Sequence, residues 1–172
     1  MTNNSTDFFY VLLYCRMITR QNPQRNMIFK NILFLSVSFF SLAGWHTDLN
    51  EAKQIARKEH RHILLNFSGS DWCGPCIRMR KEMLDNGDFT NMADSLLVLV
   101  NADFPRMKKN QLSATQQKLN DAMADQYNSK GKFPFTVLLN ADGKVLKEWD
   151  GFPEVTPEIF INDVRHAIYA DQ

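Results

Sequence analysis

The sequence predicts an α/β domain, and two observations predict it. Short apolar runs suited to buried strands, at 62–67, 96–103 and 135–140, are separated by segments whose apolar residues recur at helical spacing. The stretch SDWCGPC, residues 70–76, lies where the first of these runs feeds a helix. The 172 residues are 44% hydrophobic and 23% charged, enough for one domain with a real core. A net charge of +1 offers no clustered excess of Lys and Arg, so no nucleic-acid partner is expected.

The chain opens on segments that do not read as folded domain. From Met27, MIFKNILFLSVSFFSLAGW carries one lysine, an apolar run from Ile32 to Phe40, and small residues at the first and third places of Ser41-Leu42-Ala43. This predicts a secretory signal over 27–43, cut after Ala43. The 16 residues from Ile28 to Ala43 fall short of the roughly 20 that span a bilayer, so an N-terminal anchor is the second choice. Residues 1–26, with their own apolar patch FFYVLLY and three arginines, precede a signal that is complete without them. They are expected to be a gene-model extension or disordered, with translation starting at Met27. The folded domain is then 44–172. Removing residues 1–43 takes away Cys15, four of 20 basic residues and one of 19 acidic ones, leaving one cysteine pair and 16 against 18, a net of −2.

Within the domain, a first helix is expected from about Asp48 to Glu59, with Asp48 and Glu51 in a capping-box-like start and Leu49, Ala52 and Ala56 on one face. The first strand is ILLNF. CGPCIRMRKEML then has apolar residues at Cys76 or Ile77, at Met79 or Arg80, and at Met83 and Leu84, which predicts a helix starting at Cys73. Pro75 suits its first turn, where the N–H groups lack partners anyway. LLVLVNAD, 96–103, is a fully apolar strand of the kind found mid-sheet. A helix from about Ser113 to Tyr127 turns Leu119, Ala122, Met123 and Tyr127 inward. The stretch before it, Phe104 to Leu112, carries Arg106, Lys108 and Lys109 and reads either as a solvated loop or as a partner-recognition insertion. FTVLLN and KVLKEWD form a hairpin around Asn140-Ala141-Asp142-Gly143, and Pro134 is acceptable because it stands at the start of its strand. Thr156 caps a last helix, with Pro157 at its first position and Phe160, Ile161, Val164, Ala167 and Ile168 as its packed stripe.

Cys73 and Cys76 admit three readings. A structural bridge across two residues stabilises little, because the entropy removed from the unfolded chain grows with loop length. Tetrahedral zinc needs four ligands, and the mature chain adds only His46, His60, His62 and His166 to the two sulfurs. His60 and His62 read as solvated residues at a strand entry, so no metal is expected. The third reading is redox. A thiol at a helix N-terminus meets free N–H donors and the positive end of the macrodipole, which favour thiolate. Cys73 is then the open nucleophile, with Cys76 buried beneath it to resolve the mixed disulfide.

WCGPC after an apolar strand, followed some 60 residues later by KFPFTVLLNADGKVLKEWDGF, resembles the thioredoxin superfamily over about Asp48 to Ala170. FSGSDWC is similar to exported bacterial thioredoxin-like proteins and to the periplasmic thioredoxin-like modules of thiol-disulfide interchange proteins. The resemblance implies a thioredoxin-like fold, a central mixed sheet with helices on both faces. It also implies a thiol-disulfide oxidoreductase that works without a cofactor on protein disulfides, in the periplasm, kept reduced by a membrane-bound electron donor. Catalysis would rest on Cys73, Gly74, Pro75 and Cys76. Trp72, Phe133 and Pro134 would bind substrate, with Phe133-Pro134 a cis bond that leaves backbone groups free for an arriving strand.

The departures from the family pattern are Asn66, near the place of a buried aspartate that serves as proton relay, and Phe135, where a threonine directly after the proline is usual. Asp71 is too close to Trp72 to substitute as the base. Gly-Pro between the cysteines resembles the reducing members, which favours reduction or isomerisation. A disulfide oxidant, or a binding and chaperone module without turnover, are the alternatives.

Overall fold

The computed structural model describes residues 44–171. The segments expected at 1–26 and 27–43 lie outside the described residues. Four strands, β1 (His62–Ser68), β2 (Leu97–Asp103), β3 (Phe135–Leu139) and β4 (Val145–Asp150), form one mixed sheet in the order β2-β1-β3-β4. β1 runs parallel to β2, with Leu65 opposite Val100, and antiparallel to β3, with Leu65 opposite Val137. β3 and β4 make the expected hairpin, in which Gly143 adopts φ 91° and the Asn140 side chain accepts from the backbone N–H groups of Asp142 and Lys144.

Helices cover both faces. Against Ile63, Leu65 and Phe67 pack α1 (Leu49–Glu59), through Leu49, Ala52 and Ala56, and α4 (Ala114–Tyr127), through Met123. Against Leu64, Leu99 and Leu138 pack three segments: α2 (Gly74–Arg78) with its extension, α3 (Gly87–Leu96) and α5 (Pro157–Tyr169). The alternation of strand side chains assigns these faces. It also puts Asn66 and Ser68 on the Leu64 side, the side of α2.

Several expectations need correction. The helix expected to run unbroken from Cys73 is α-helical only to Arg78. Met79–Leu84 widens into a π-turn in which Asp85 N–H donates to Arg80 O at 2.8 Å, and this brings Met79, Met83 and Leu84 inward together. Helix α3 was not anticipated. Asn86 caps it by accepting from Asp88 and Phe89 N–H, and Phe89, Met92 and Ala93 are its buried stripe. β2 is not mid-sheet. It stands at one end of the four-strand order, with β4 at the other, and begins at Leu97, and its apolar character comes from the helices packed on both its faces. Among the described residues its outer edge is met only by the short parallel bridge of His46 to Val100. In α4, Ala122 is exposed and Asn120 takes the inward place, donating to Asp103 O at 2.7 Å. His62 is not simply solvated, since its Nε2 lies 3.3 Å from Asp171 Oδ2.

Candidate active site

β1 ends at Ser68, and Gly69-Ser70-Asp71-Trp72 carries the chain to Cys73, the N-cap of α2. The turn closes when the N–H groups of Trp72 and Cys73 donate to Gly69 O, at 3.3 and 2.9 Å. Cys73 holds extended backbone angles, so its side chain folds back over the first helical turn and its Sγ accepts from Cys76 N–H at 3.3 Å. Cys73 and Cys76 form a disulfide with a Cα–Cα separation of 5.2 Å. Gly74 and Pro75, between them, are exposed, and a Cβ at Gly74 would meet nothing within 4 Å.

Both sulfurs are covered. Cys73 is 5% exposed and Cys76 3%, so the expectation that Cys73 alone stands open is corrected for the closed pair. In the disulfide each sulfur shields the other, and Cys73 is further drawn onto the helix end by its capping bond.

Beneath Cys76 a cavity of about 250 Å³ is lined by Asn66, Ser68, Ser70, Arg80, Asp85 and Asn101 among others. Asn66 is buried. It is opposite Asn101 on β2 and Thr136 on β3, and the register turns this into a polar row across three strands. Asn66 Nδ2 donates to Asn101 Oδ1 and Asn66 Oδ1 accepts from Thr136 Oγ1, both at 3.1 Å. Asn101 is a site residue that the sequence reading missed; only the strand register reveals it. A larger depression of about 410 Å³, lined by Trp149, Val155 and Ile159 among others, sits between β4 and α5, away from the sulfurs.

The rim beside Cys73 is aromatic. Trp72 meets Phe133 edge to face with ring centroids 5.5 Å apart, and Phe133 meets Phe104 in the same way at 5.5 Å. Trp72 Nε1 donates to Phe104 O at 2.7 Å. The Phe133–Pro134 peptide bond is cis, and Pro134 O accepts from Gly151 N–H. Since Phe135 pairs with Phe67 at the end of β1 that leads to the cysteines, Phe133 and Pro134 lie at the same end of the sheet as the disulfide. Phe135 itself is not part of this rim. It is buried against Phe67 in the α1/α4 core, because it shares the face of Val137 and Leu139.

Gly69 is a second residue that sequence reasoning passed over. A Cβ there would lie 2.4 Å from Trp72 Cε2, so only glycine lets the indole fold back over the turn. The polar side chains of SDW are also occupied. Asp71 accepts from Arg106 and Met107 N–H at 2.9 Å each and from Asn110 Nδ2 at 3.0 Å. The Arg106 amide, with help from Asn110 and Met107, holds the Asp71 carboxyl below its ordinary pKa. Ser70 donates through both N–H and Oγ to Asp103. The stretch from Phe104 to Leu112 is therefore bound to the cysteine turn, with a short 3₁₀ segment at Lys108–Asn110.

A family model described as thioredoxin-like matches residues 44–141. The disulfide bond reductase DsbH of Chlamydia pneumoniae is 34% identical over 118 residues, 69% of either chain. The thioredoxin-related protein DsbJ of Chlamydia pneumoniae is 27% identical over 127 residues, which are 74% of this chain but only 36% of that protein. The solved structure of a DsbH oxidoreductase superposes with a TM-score of 0.66 at 32% identity, covering 73% of this chain and 84% of the other. A CXXC disulfide capping the helix that follows β1, a mixed sheet covered on both faces, and these relatives together establish that the chain belongs to the thioredoxin-like family and is a thiol-disulfide oxidoreductase.

Proposed function

We propose that this protein is exported and reduces or isomerises disulfides of other proteins in the periplasm, with residues 27–43 as its export signal, 1–26 as no part of the working chain and 44–172 as its domain. The observation that carries the mechanism is the N-cap placement of Cys73, whose sulfur faces the Cys76 N–H at the start of a helix. In the reduced protein the same donor and the helix dipole favour a thiolate at Cys73. That thiolate attacks one sulfur of a substrate disulfide, and the other substrate sulfur leaves as a thiolate and takes up a proton. The Cys76 thiolate then attacks Cys73 Sγ, releases the second substrate thiolate and closes the protein disulfide, so that two electrons have passed to the substrate.

A dithiol donor at the membrane restores the reduced pair. Asn66 cannot accept a proton, so the Cys76 proton leaves through the polar cavity it shares with Asn66 and Ser70. Gly74 and Pro75 keep the turn short, while Trp72, Phe133 and Pro134 form the wall against which an extended substrate segment lies. The reductive direction is supported by the 34% identity to a disulfide bond reductase and by Gly-Pro between the cysteines.

Insulin reduction with dithiothreitol tests this. Cys73→Ser is expected to remove the rate above background, and Cys76→Ser to accumulate a mixed disulfide with substrate. A Cys73→Ser protein as fast as the native one would overturn the proposal. The near-complete cover of both sulfurs favours one second reading, a binding module whose disulfide stays closed. The same assay separates the two, and N-terminal peptide mapping of native protein tests the signal and start site.

A further inference from the structure

Around the disulfide, the segment 104–112 presents three cations and no anion: Arg106, Lys108 and Lys109 are all exposed. Among the described residues none of the three has a carboxylate within ion-pairing distance, whereas Arg78, Arg80 and Lys132 nearby are each paired with an acidic side chain. The segment is also anchored. Asp71 spends its carboxylate on two backbone amides and Asn110, Phe104 O holds the Trp72 indole, and the Arg106 guanidinium lies 3.6 Å over the Trp72 ring. Stacking on the indole engages the face of the exposed guanidinium and leaves its edge N–H groups available to a ligand beside the residue that precedes Cys73.

We propose that Arg106, seconded by Lys108 and Lys109, is a specificity determinant that selects protein substrates carrying a carboxylate side chain next to the cysteine under attack. A loop that merely solvated its charges would need neither the Asp71 anchor nor the stacked arginine. The Asp71 and Asp103 carboxylates keep their charge but accept from the backbone and side chains of the turn, and the three exposed cations outnumber them, so the rim is net positive and complementary to an acidic segment. This inference rests on the reductase reading above and names the substrate class of that same site.

The test uses three synthetic peptides that differ only in the residue after a cysteine held as a mixed disulfide with a chromogenic thiol: Glu, Gln or Lys. The leaving thiol is followed at low salt with the reduced full domain, and dithiothreitol resupplies electrons. The Glu peptide is expected to have kcat/KM roughly two- to fivefold above Gln, the span of an exposed ion pair, and Lys to fall below Gln. The preference should shrink as salt is added. Arg106→Ala is expected to bring Glu and Gln to equal rates, and Arg106→Lys to keep part of the difference. Equal rates for all three peptides on the native protein would overturn the inference while leaving the reductase reading intact. An Arg106→Ala variant that slowed all three peptides alike with the ratio preserved would also overturn it. No release from any peptide would instead sink the reductase reading.

Discussion

At the residue scale, the two glycines around the cysteines do different work. Gly69→Ala forces a methyl against the Trp72 indole, so it is expected to cost about 1–3 kcal/mol of overpacking and to shift the Trp72 fluorescence. Gly74→Ala meets open space and is expected to stay within about 0.5 kcal/mol of the native protein. Urea unfolding of both variants checks the contrast. Asn66 offers a second test. Asn66→Asp places a carboxyl opposite Asn101 Oδ1 in a buried row, which burial keeps protonated. A group whose folded pKa is raised supports folding in full below about pH 4 and loses that support as pH rises through its folded value. The variant is therefore expected to be less stable at pH 8 than at pH 5 relative to the native protein, and its insulin-reduction rate to gain a new ionisation. Flat stability difference across that range would show that the site hydrates. The importance of Asn66 was readable from its place in the first strand, but that of Gly69 was not, since nothing local announces that a tryptophan three residues later will fold back onto it.

At the element scale, the segment 104–112 owes its shape to one carboxylate. Asp71→Ala removes the acceptor of two amides and of Asn110 at once, and is expected to raise tryptic cleavage around Arg106–Lys109 severalfold by easing local opening. Because the Arg106 and Met107 amides and Asn110 hold the Asp71 carboxyl below its ordinary value of 3.8, its contribution is present in full above about pH 4 and is lost as pH falls through the lowered value. Native protein should thus resist trypsin equally at pH 6 and pH 8. Most helices and strands were legible from apolar period and caps: Asp48, Ser113 and Thr156 all accept first-turn N–H groups. The α3 helix escaped because its stripe is short, and the π-turn because no sequence pattern distinguishes it from continued α-helix. β2 was misplaced because a run covered by helices on both faces looks the same at an edge as in the middle.

At the scale of the whole molecule, the disulfide closes so short a loop that its chain-entropy contribution is only about 2 kcal/mol, and the two apolar layers on either side of the sheet hold the fold without it. Reduction is therefore expected to lower the unfolding free energy by no more than about 2 kcal/mol in urea titrations with and without dithiothreitol. A reduced form more stable than the oxidised one would mark the protein as an oxidant, since the potential follows the relative stability of the two folded states. The sequence by itself determined the chemistry, because a sulfur pair at a strand-to-helix junction is a local arrangement set by residues that neighbour each other in the chain. Only the tertiary structure decided what surrounds those sulfurs. The Asn101-Asn66-Thr136 row and the Arg106 cap on Trp72 join residues about 30 to 70 positions apart, and strand register and loop docking rather than local pattern bring them together.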